Sequence, residues 1–293
     1  VTSSLERQTS PRAGIVGSPR ASPGRALLEV RDLSVHFEQY DRGLRRRTVA
    51  AVEQMSLTVR EGEVVALVGA SGAGKSILGH AVLGLLPANA REHGEIRWRG
   101  APMAPPQRRR LAGAQTALLP QSVSHLDPTA TVGSQARRAA RLAGHGRRAA
   151  RTRAAEAVRA QGLAESVLRL HPHELSGGMA RRVLTALALM GDPALVIADE
   201  PTPGLAPESV VAVLDRLRRI ADAGSGVLLI THELGAALRV ADRVVVARRG
   251  RTLEEAPVEA FTGSGQALEH AYSRALWRAL PQNGFELPET DAC

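Results

Sequence analysis

Eight consecutive residues, Gly69-Ala70-Ser71-Gly72-Ala73-Gly74-Lys75-Ser76, follow the pattern G-x-x-x-x-G-K-[ST]. Glycines at these spacings let a backbone wrap closely around phosphate and point amide hydrogens into a concave nest at a helix N-terminus. Lys75 would reach the β- and γ-phosphates as a compact point charge, and the Ser76 hydroxyl would hold Mg²⁺. Lys75 is also the only lysine of a chain in which Lys and Arg together number 38. A guanidinium carries the same charge on a bulkier planar fork. This position therefore needs the slim ammonium stem, whereas the other basic positions need only charge. A dinucleotide fingerprint is excluded, because Gly72-x-Gly74 would require glycine where Ile77 stands. The candidate nucleotide contacts are Gly69, Ser71, Gly72, Ala73, Gly74, Lys75, Ser76 and Ile77.

Two carboxylates, Asp199 and Glu200, close the apolar run "LVIADE". At the carboxyl end of a buried strand an Asp can bind Mg²⁺, usually through water, and the adjacent carboxylate can polarise an attacking water. A second anion site lies just upstream, in "HPHELSGGMARRVLTALALM". Ser176 has the chemistry of a helix N-cap, and Gly177 and Gly178 leave the amide donors behind it uncovered. One triphosphate hardly needs two such helix tips from the same chain, unless the second serves a partner's nucleotide.

Elements of the right kind surround these residues. Residues 1–25 are rich in Ser, Pro, Gly and Arg without apolar periodicity and read as a disordered tail. "LLEVRDLSVHFE" alternates like a half-buried strand, and "VAAVEQMSLTVR" is a second strand beyond the basic loop "DRGLRRRT". "EVVALVG" is a fully buried strand leading into the glycine loop, and "KSILGHAVLGLL" has helical spacing up to Pro87. From about 122 to 175 the chain turns Ala- and Arg-rich, with strong helix propensity, and reads as a helical insert. "ALVIADE" and "GVLLITHE" are two further buried strands, each followed by a helical segment. Strand–helix alternation on both sides of an insert predicts an α/β core with a mainly parallel sheet.

Composition narrows the partners. The chain has 293 residues, 44% of them hydrophobic, with only 2% aromatic and a formal charge of +9. Such charge invites nucleic acid, but the aromatic platforms that stack on bases are nearly missing, so nucleic acid is not the expected partner. The insert's arginines read as a solvated helix face, and a basic surface also suits anionic lipid headgroups. The single cysteine, Cys293, allows no intramolecular disulfide or Cys-rich metal site and suits a reducing cytosol. No apolar run approaches the roughly 18 residues of a membrane span, and no signal-peptide core follows the first arginines. The expectation is a soluble protein that serves a membrane from its cytoplasmic face.

Leu175-Ser176-Gly177-Gly178-Met179 resembles the signature motif of ATP-binding cassette (ABC) ATPases, and the other landmarks match in order over most of residues 27–262. The resemblance implies a P-loop NTPase fold with a RecA-like parallel-sheet core, an N-terminal antiparallel β subdomain and a helical insert at about 122–190. The cassette would span 26–262, with a family-specific tail at 263–293. It implies two cassettes paired head to tail, each ATP held between one chain's phosphate loop and the other's Ser176, Gly177 and Gly178. Gln121 resembles the Q-loop glutamine that links γ-phosphate and Mg²⁺ to the transporter contact surface, and His232 the switch histidine that holds γ-phosphate and orients the catalytic water. Glu200 and His232 would then be the catalytic pair, with Ser76, Gln121 and Asp199 around Mg²⁺. Phe37 or Tyr40 would stack on adenine, Phe37 being preferred.

Within the family, "HPHELSGGM", "SHLDPTATVG" and the tail "EHAYSRALWRALPQNGF" resemble the ATPases of oligopeptide, dipeptide and nickel importers. The expected partners are a second ATPase subunit, two membrane permeases and an extracytoplasmic solute-binding protein. Met179 points to a paralogous partner, and the lack of a cysteine-rich tail favours the nickel or metal-chelate branch. An exporter subunit and a soluble nucleic-acid or ribosome-associated ABC ATPase are the alternatives. Two positions depart from the pattern. Ala206 replaces the D-loop aspartate, and Arg181 stands where the signature helix usually has Gln; hydrolysis at this chain's own site, with altered coupling across the dimer, is the expectation.

Overall fold

The chain lays down two sheets and a helical layer in the computed structural model, which describes residues 24–40 and 46–283. Strands β1 (Ala26–Tyr40) and β2 (Arg46–Arg60) pair antiparallel along their whole length. β3 (Val64–Val68) then leads into the glycine loop and α1 (Lys75–Val82). β4 (Ala90–Trp98) and β5 (Ala101–Pro102) complete an antiparallel sheet in the order β2-β1-β4-β5. Helix α2 (Pro105–Leu111) and β6 (Thr116–Leu119) return the chain to the second sheet. The helical layer follows as α3 (Val132–Leu142), α4 (Arg147–Arg159) and α5 (Gly177–Ala188). Next come β7 (Leu195–Asp199), α6 (Pro207–Asp222), β8 (Gly226–Thr231), α7 (Leu234–Leu238), β9 (Arg243–Arg248) and β10 (Arg251–Pro257). Helix α8 (Ala271–Arg278) closes the described chain.

The second sheet has the order β10-β9-β3-β8-β7-β6, parallel throughout except for β10. Its central strands read as unbroken apolar runs because both faces are covered. Successive side chains alternate between two cores, as pleating dictates. Val65, Leu67, Ile197, Leu228 and Ile230 meet α1 and the antiparallel sheet through Leu78, Leu33 and Met55. Val64, Ala66, Val196 and Leu229 face Leu214 and Leu217 of α6 and Ala237 of α7. The residues beyond β10 join this second core through Tyr272, Leu276, Trp277 and Leu280, and Trp277 Nε1 donates to the Gly263 carbonyl at 3.0 Å.

The insert's helices are split by Gly144-His145-Gly146 and meet along Ala136, Ala140, Ala150 and Ala154, packed on Met190. Small residues on that seam let the helices approach closely, and Arg137, Arg138, Arg141, Arg147, Arg148 and Arg151 stay exposed. Among the described residues no helix is long and apolar enough to cross a membrane.

Some elements differ from the expectation. The helix expected to reach Pro87 ends at Val82. Gly84 takes a left-handed φ of 68° there, and the amides of Gly84 and Leu85 return to the carbonyls of Ala81 and His80 at 2.9 and 2.8 Å. That paired closure is the Schellman motif, which stops a helix despite continuing apolar residues. Strands β4, β5, β6, β9 and β10 lie outside the expectation: β4 and β10 are polar and β5 and β6 span four residues or fewer, whereas β9 has the same apolar, buried character as β8. The tail at 1–25 lies outside the described residues except for Gly24 and Arg25, as do Cys293 and most of the basic loop after β1.

Candidate nucleotide-binding site

The parallel register sets Val68 beside Thr231 and Asp199 beside Ile230, so β3, β8 and β7 end together at one edge of the sheet. Crevices at the carboxyl ends of parallel strands are where open α/β sheets bind ligands. Here the loops leaving those three strands carry the glycine run, His232 and Glu200. They enclose an open cleft of about 740 Å³ lined by Ala50, Ala51, Ala70 to Ile77, Gln121, Glu200 and His232.

The glycine loop closes tightly under β2. Gly74 has φ 83°, and a Cβ there would lie 2.5 Å from the backbone oxygen of Ala51. Only glycine meets both conditions. Immediately beyond it Lys75 is buried, and its Nζ donates to the carbonyls of Gly69 at 2.7 Å and Ala70 at 3.0 Å. Burial holds the ammonium below the ordinary lysine range, opposed by the negative charges of Glu200 and Asp199. These carbonyls fix the side chain across the mouth of the loop, ready to exchange a carbonyl for a phosphate oxygen.

Ser76 Oγ donates to Asp199 Oδ1 at 3.0 Å, joining the first turn of α1 to the end of β7. Burial pushes the Asp199 carboxyl above the usual range, chiefly against the stabilising Ser76 hydrogen bond. A hydroxyl beside a desolvated carboxylate is an oxygen donor set suited to a hard cation. No cluster of three or more His, Cys, Asp or Glu fit for a metal exists among the described residues. A divalent ion at Ser76 and Asp199 must therefore draw most ligands from phosphate and water, which is the habit of Mg²⁺.

The desolvated charge has a measurable cost. A carboxyl whose folded pKa is raised favours the fold most at acid pH and loses that contribution as pH rises through its folded titration. Asp199→Asn, which can still accept from Ser76, is expected to raise the nucleotide-free Tm at neutral pH by about 2 °C or more. That gain should shrink to nothing below the unfolded Asp titration near pH 4. A Tm difference independent of pH in thermal melts would sink this account.

Glu200 follows β7 in a left-handed conformation, φ 45°, with its amide donating to the Ile230 carbonyl at 2.9 Å. Its Oε1 is 2.9 Å from His232 Nδ1. A carboxylate oxygen only accepts, so Nδ1 carries the proton in this contact. Glu200 Oε2 is buried without a hydrogen-bond partner in the protein, an acceptor left over for a group that enters the cleft. Gln121 lies exposed on the rim, two residues beyond β6.

The phosphate-loop residues, Gln121, Glu200 and His232 thus converge, with Asp199 reached through Ser76 and Gly69 through Lys75. Phe37 does not line the cleft; it is half-buried against the first core, across from Val49. Tyr40 ends β1, and its side chain lies outside the described residues. Ser176, Gly177 and Gly178 are exposed at the start of α5 and do not line this chain's cleft. Ser176 caps the helix, accepting from the Met179 amide at 3.2 Å. Sequence reasoning missed Ala50 and Ala51 in the cleft lining; Ala51 brings its backbone oxygen close to Gly74, which leaves no signal in residue type. A separate 810 Å³ cleft beside β10 is lined by Glu254, Glu255, Glu259 and Glu269, but the Glu254 carboxylate is occupied by the backbone amides of Glu269 and His270.

Comparison with known proteins bears on the family and the fold. A family model described as ABC transporter matches residues 52–203. The oligopeptide transport ATP-binding protein OppD of Mycobacterium bovis is 41% identical over 79% of this chain, which spans only 39% of that relative's length. The dipeptide transport ATP-binding protein DppD of Escherichia coli is 35% identical over 88% of this chain and 79% of its own length. A solved ATP-binding subunit of an ABC transporter is 32% identical with a TM-score of 0.65, covering 80% of this chain and 91% of that one. A dimeric ATP-binding cassette in a post-hydrolysis state with ADP and Pi shares the fold at 22% identity and a TM-score of 0.68, over 79% and 99% of the two chains. With its two-sheet core, helical layer and phosphate loop, the chain belongs to the ABC transporter family.

Proposed function

We propose that this chain is the ATP-hydrolysing subunit of an ABC importer, working at the cytoplasmic face of the membrane as one half of a head-to-tail cassette pair. The observation that carries the reading is the pairing of Glu200 with His232 in the same cleft as Lys75 and the Ser76–Asp199 pair. Peptides are the proposed solute class, supported by the relatives named for oligopeptide and dipeptide transport; nickel or a metal chelate is the alternative. The cassette would run over 26–262 with its insert at 122–190, and residues 263–293 would form the tail.

The phosphate loop wraps the β- and γ-phosphates with backbone amides, and Lys75 moves its ammonium from the Gly69 and Ala70 carbonyls onto phosphate oxygens. Ser76, Asp199 and Gln121 would hold Mg²⁺, which supplies neutralising charge to the phosphates when bound. Glu200 accepts a hydrogen bond from the attacking water through its unpartnered Oε2, while His232 fixes Oε1 and orients the carboxylate. Phe37, near the end of β1, remains the proposed adenine contact.

Exposed Ser176, Gly177 and Gly178 would cap the phosphates held by the partner ATPase subunit, and two permeases and a solute-binding protein would complete the assembly. Ser176→Arg fills the proposed anion pocket without touching the chain's own cleft. This variant should bind ATP normally yet fail to associate with its partner cassette when ATP is added, as read by light scattering. Normal ATP-induced association of the variant would remove the signature from the site. For the solute, cells carrying an inactive chain should lose uptake of a labelled oligopeptide. Retained peptide uptake with lost nickel uptake would move the assignment to the metal branch.

A further inference from the structure

Both departures from the family pattern concern one loop. Ala206, standing in place of the D-loop aspartate, is the N-cap residue of α6 and makes no side-chain capping hydrogen bond. Arg181, standing in place of the signature-helix glutamine, reaches across to the same loop. Its Nη1 donates to the Pro201 carbonyl at 2.6 Å and its Nη2 to the Pro203 carbonyl at 3.4 Å. The loop is otherwise stiff. Thr202 is buried, and the Leu205 amide donates to the Thr202 carbonyl at 3.2 Å. Pro203 and Gly204, with φ 74° at the latter, supply the two central residues of a type II turn.

We propose that Arg181 is a positioning residue for Glu200, tethering the loop that follows this carboxylate to the chain's own signature helix in place of an aspartate cap. Pro201 is the residue directly after Glu200, which holds a left-handed backbone that a glutamate adopts only where its surroundings impose it. Rotating Glu200 out of that conformation swings the Pro201 carbonyl, and the guanidinium holds that carbonyl by a short charge-assisted bond. The planar fork spans two carbonyls two residues apart, one from each terminal nitrogen. Arg181 lies in the first turns of α5, whose tip is Ser176–Gly178. A displacement of that helix is thereby carried to Glu200 through one side chain.

The inference rests on Glu200 acting in hydrolysis, and two measurements on the full chain separate its failure from that of the parent reading. Arg181→Ala should lower kcat about tenfold or more while equilibrium ATP affinity changes less than about twofold. Arg181→Lys, still able to donate to the Pro201 carbonyl, should recover part of the loss. A kcat of Arg181→Ala within about twofold of the parent, or losses of affinity and Tm that run in parallel with it, would overturn the proposal. Amide hydrogen exchange over residues 200–206 of the nucleotide-free chain needs no turnover, and Arg181→Ala should speed it about fivefold. Unchanged exchange overturns the tether whether or not the chain hydrolyses ATP. A parent chain without turnover, but with the faster exchange in the variant, sinks the hydrolysis reading and leaves the tether standing.

Discussion

Glu200→Gln is expected to leave ATP binding intact while turnover falls by about 10²- to 10⁴-fold, the usual range for a lost general base. The substitution is nearly isosteric, so the left-handed backbone and the amide bond to Ile230 have no reason to change. What changes is the pair of side-chain oxygens. At present Oε1 is held by His232 and Oε2 is buried with acceptor capacity to spare. In glutamine one of those positions becomes an NH₂ donor. Should the nitrogen face His232, two donors confront each other; should it face the cleft, the water loses its acceptor. Either orientation removes the base from a site whose other parts still grip the phosphates. Single-turnover hydrolysis alongside equilibrium ATP binding reads the two consequences separately. Turnover within about tenfold of the parent would take Glu200 out of its role. His232→Ala should cost less, because the imidazole is half exposed and orients the carboxylate without replacing it.

The contrast between what the residues announced and what only the fold disclosed follows the range of the contacts. The phosphate loop is legible because all its parts are contiguous and each glycine is there for a backbone reason. Buried strands β3, β7 and β8 are legible because covering on both faces leaves an unbroken apolar run. Gln121 and His232 are single residues in loops, and nothing local marks them; only the order of landmarks in a resembling family picked them out. Arg181 shows the opposite case. Its departure was visible in the sequence, but not its contact with Pro201 and Pro203, twenty and twenty-two residues away. Pairing of a side chain with a distant carbonyl depends on where α5 and the loop after β7 come to rest, which no periodicity encodes. The early end of α1 was missed for a related reason. A Schellman closure depends on one glycine's dihedral, and an apolar run beyond it looks like more helix.

Lys75→Arg should impair ATP binding nearly as much as Lys75→Ala, although it conserves the charge. The ammonium sits buried with Nζ within 3.0 Å of two consecutive backbone carbonyls, those of Gly69 and Ala70. A planar guanidinium, whose terminal nitrogens reach one bond beyond the position of the ammonium, must displace that loop backbone or push out into the cleft where the phosphates belong. The loop has little room to give, since Gly74 is pressed on the Ala51 carbonyl on one side. Loss of a charged hydrogen bond to phosphate is worth about 1.5–3 kcal/mol, which corresponds to about 10- to 150-fold in Kd. Calorimetric titration with ATP is expected to place both variants in that band. Should Lys75→Arg instead bind ATP within about twofold of the parent, charge alone would suffice. Retention of the one lysine among so many arginines would then lose its steric explanation.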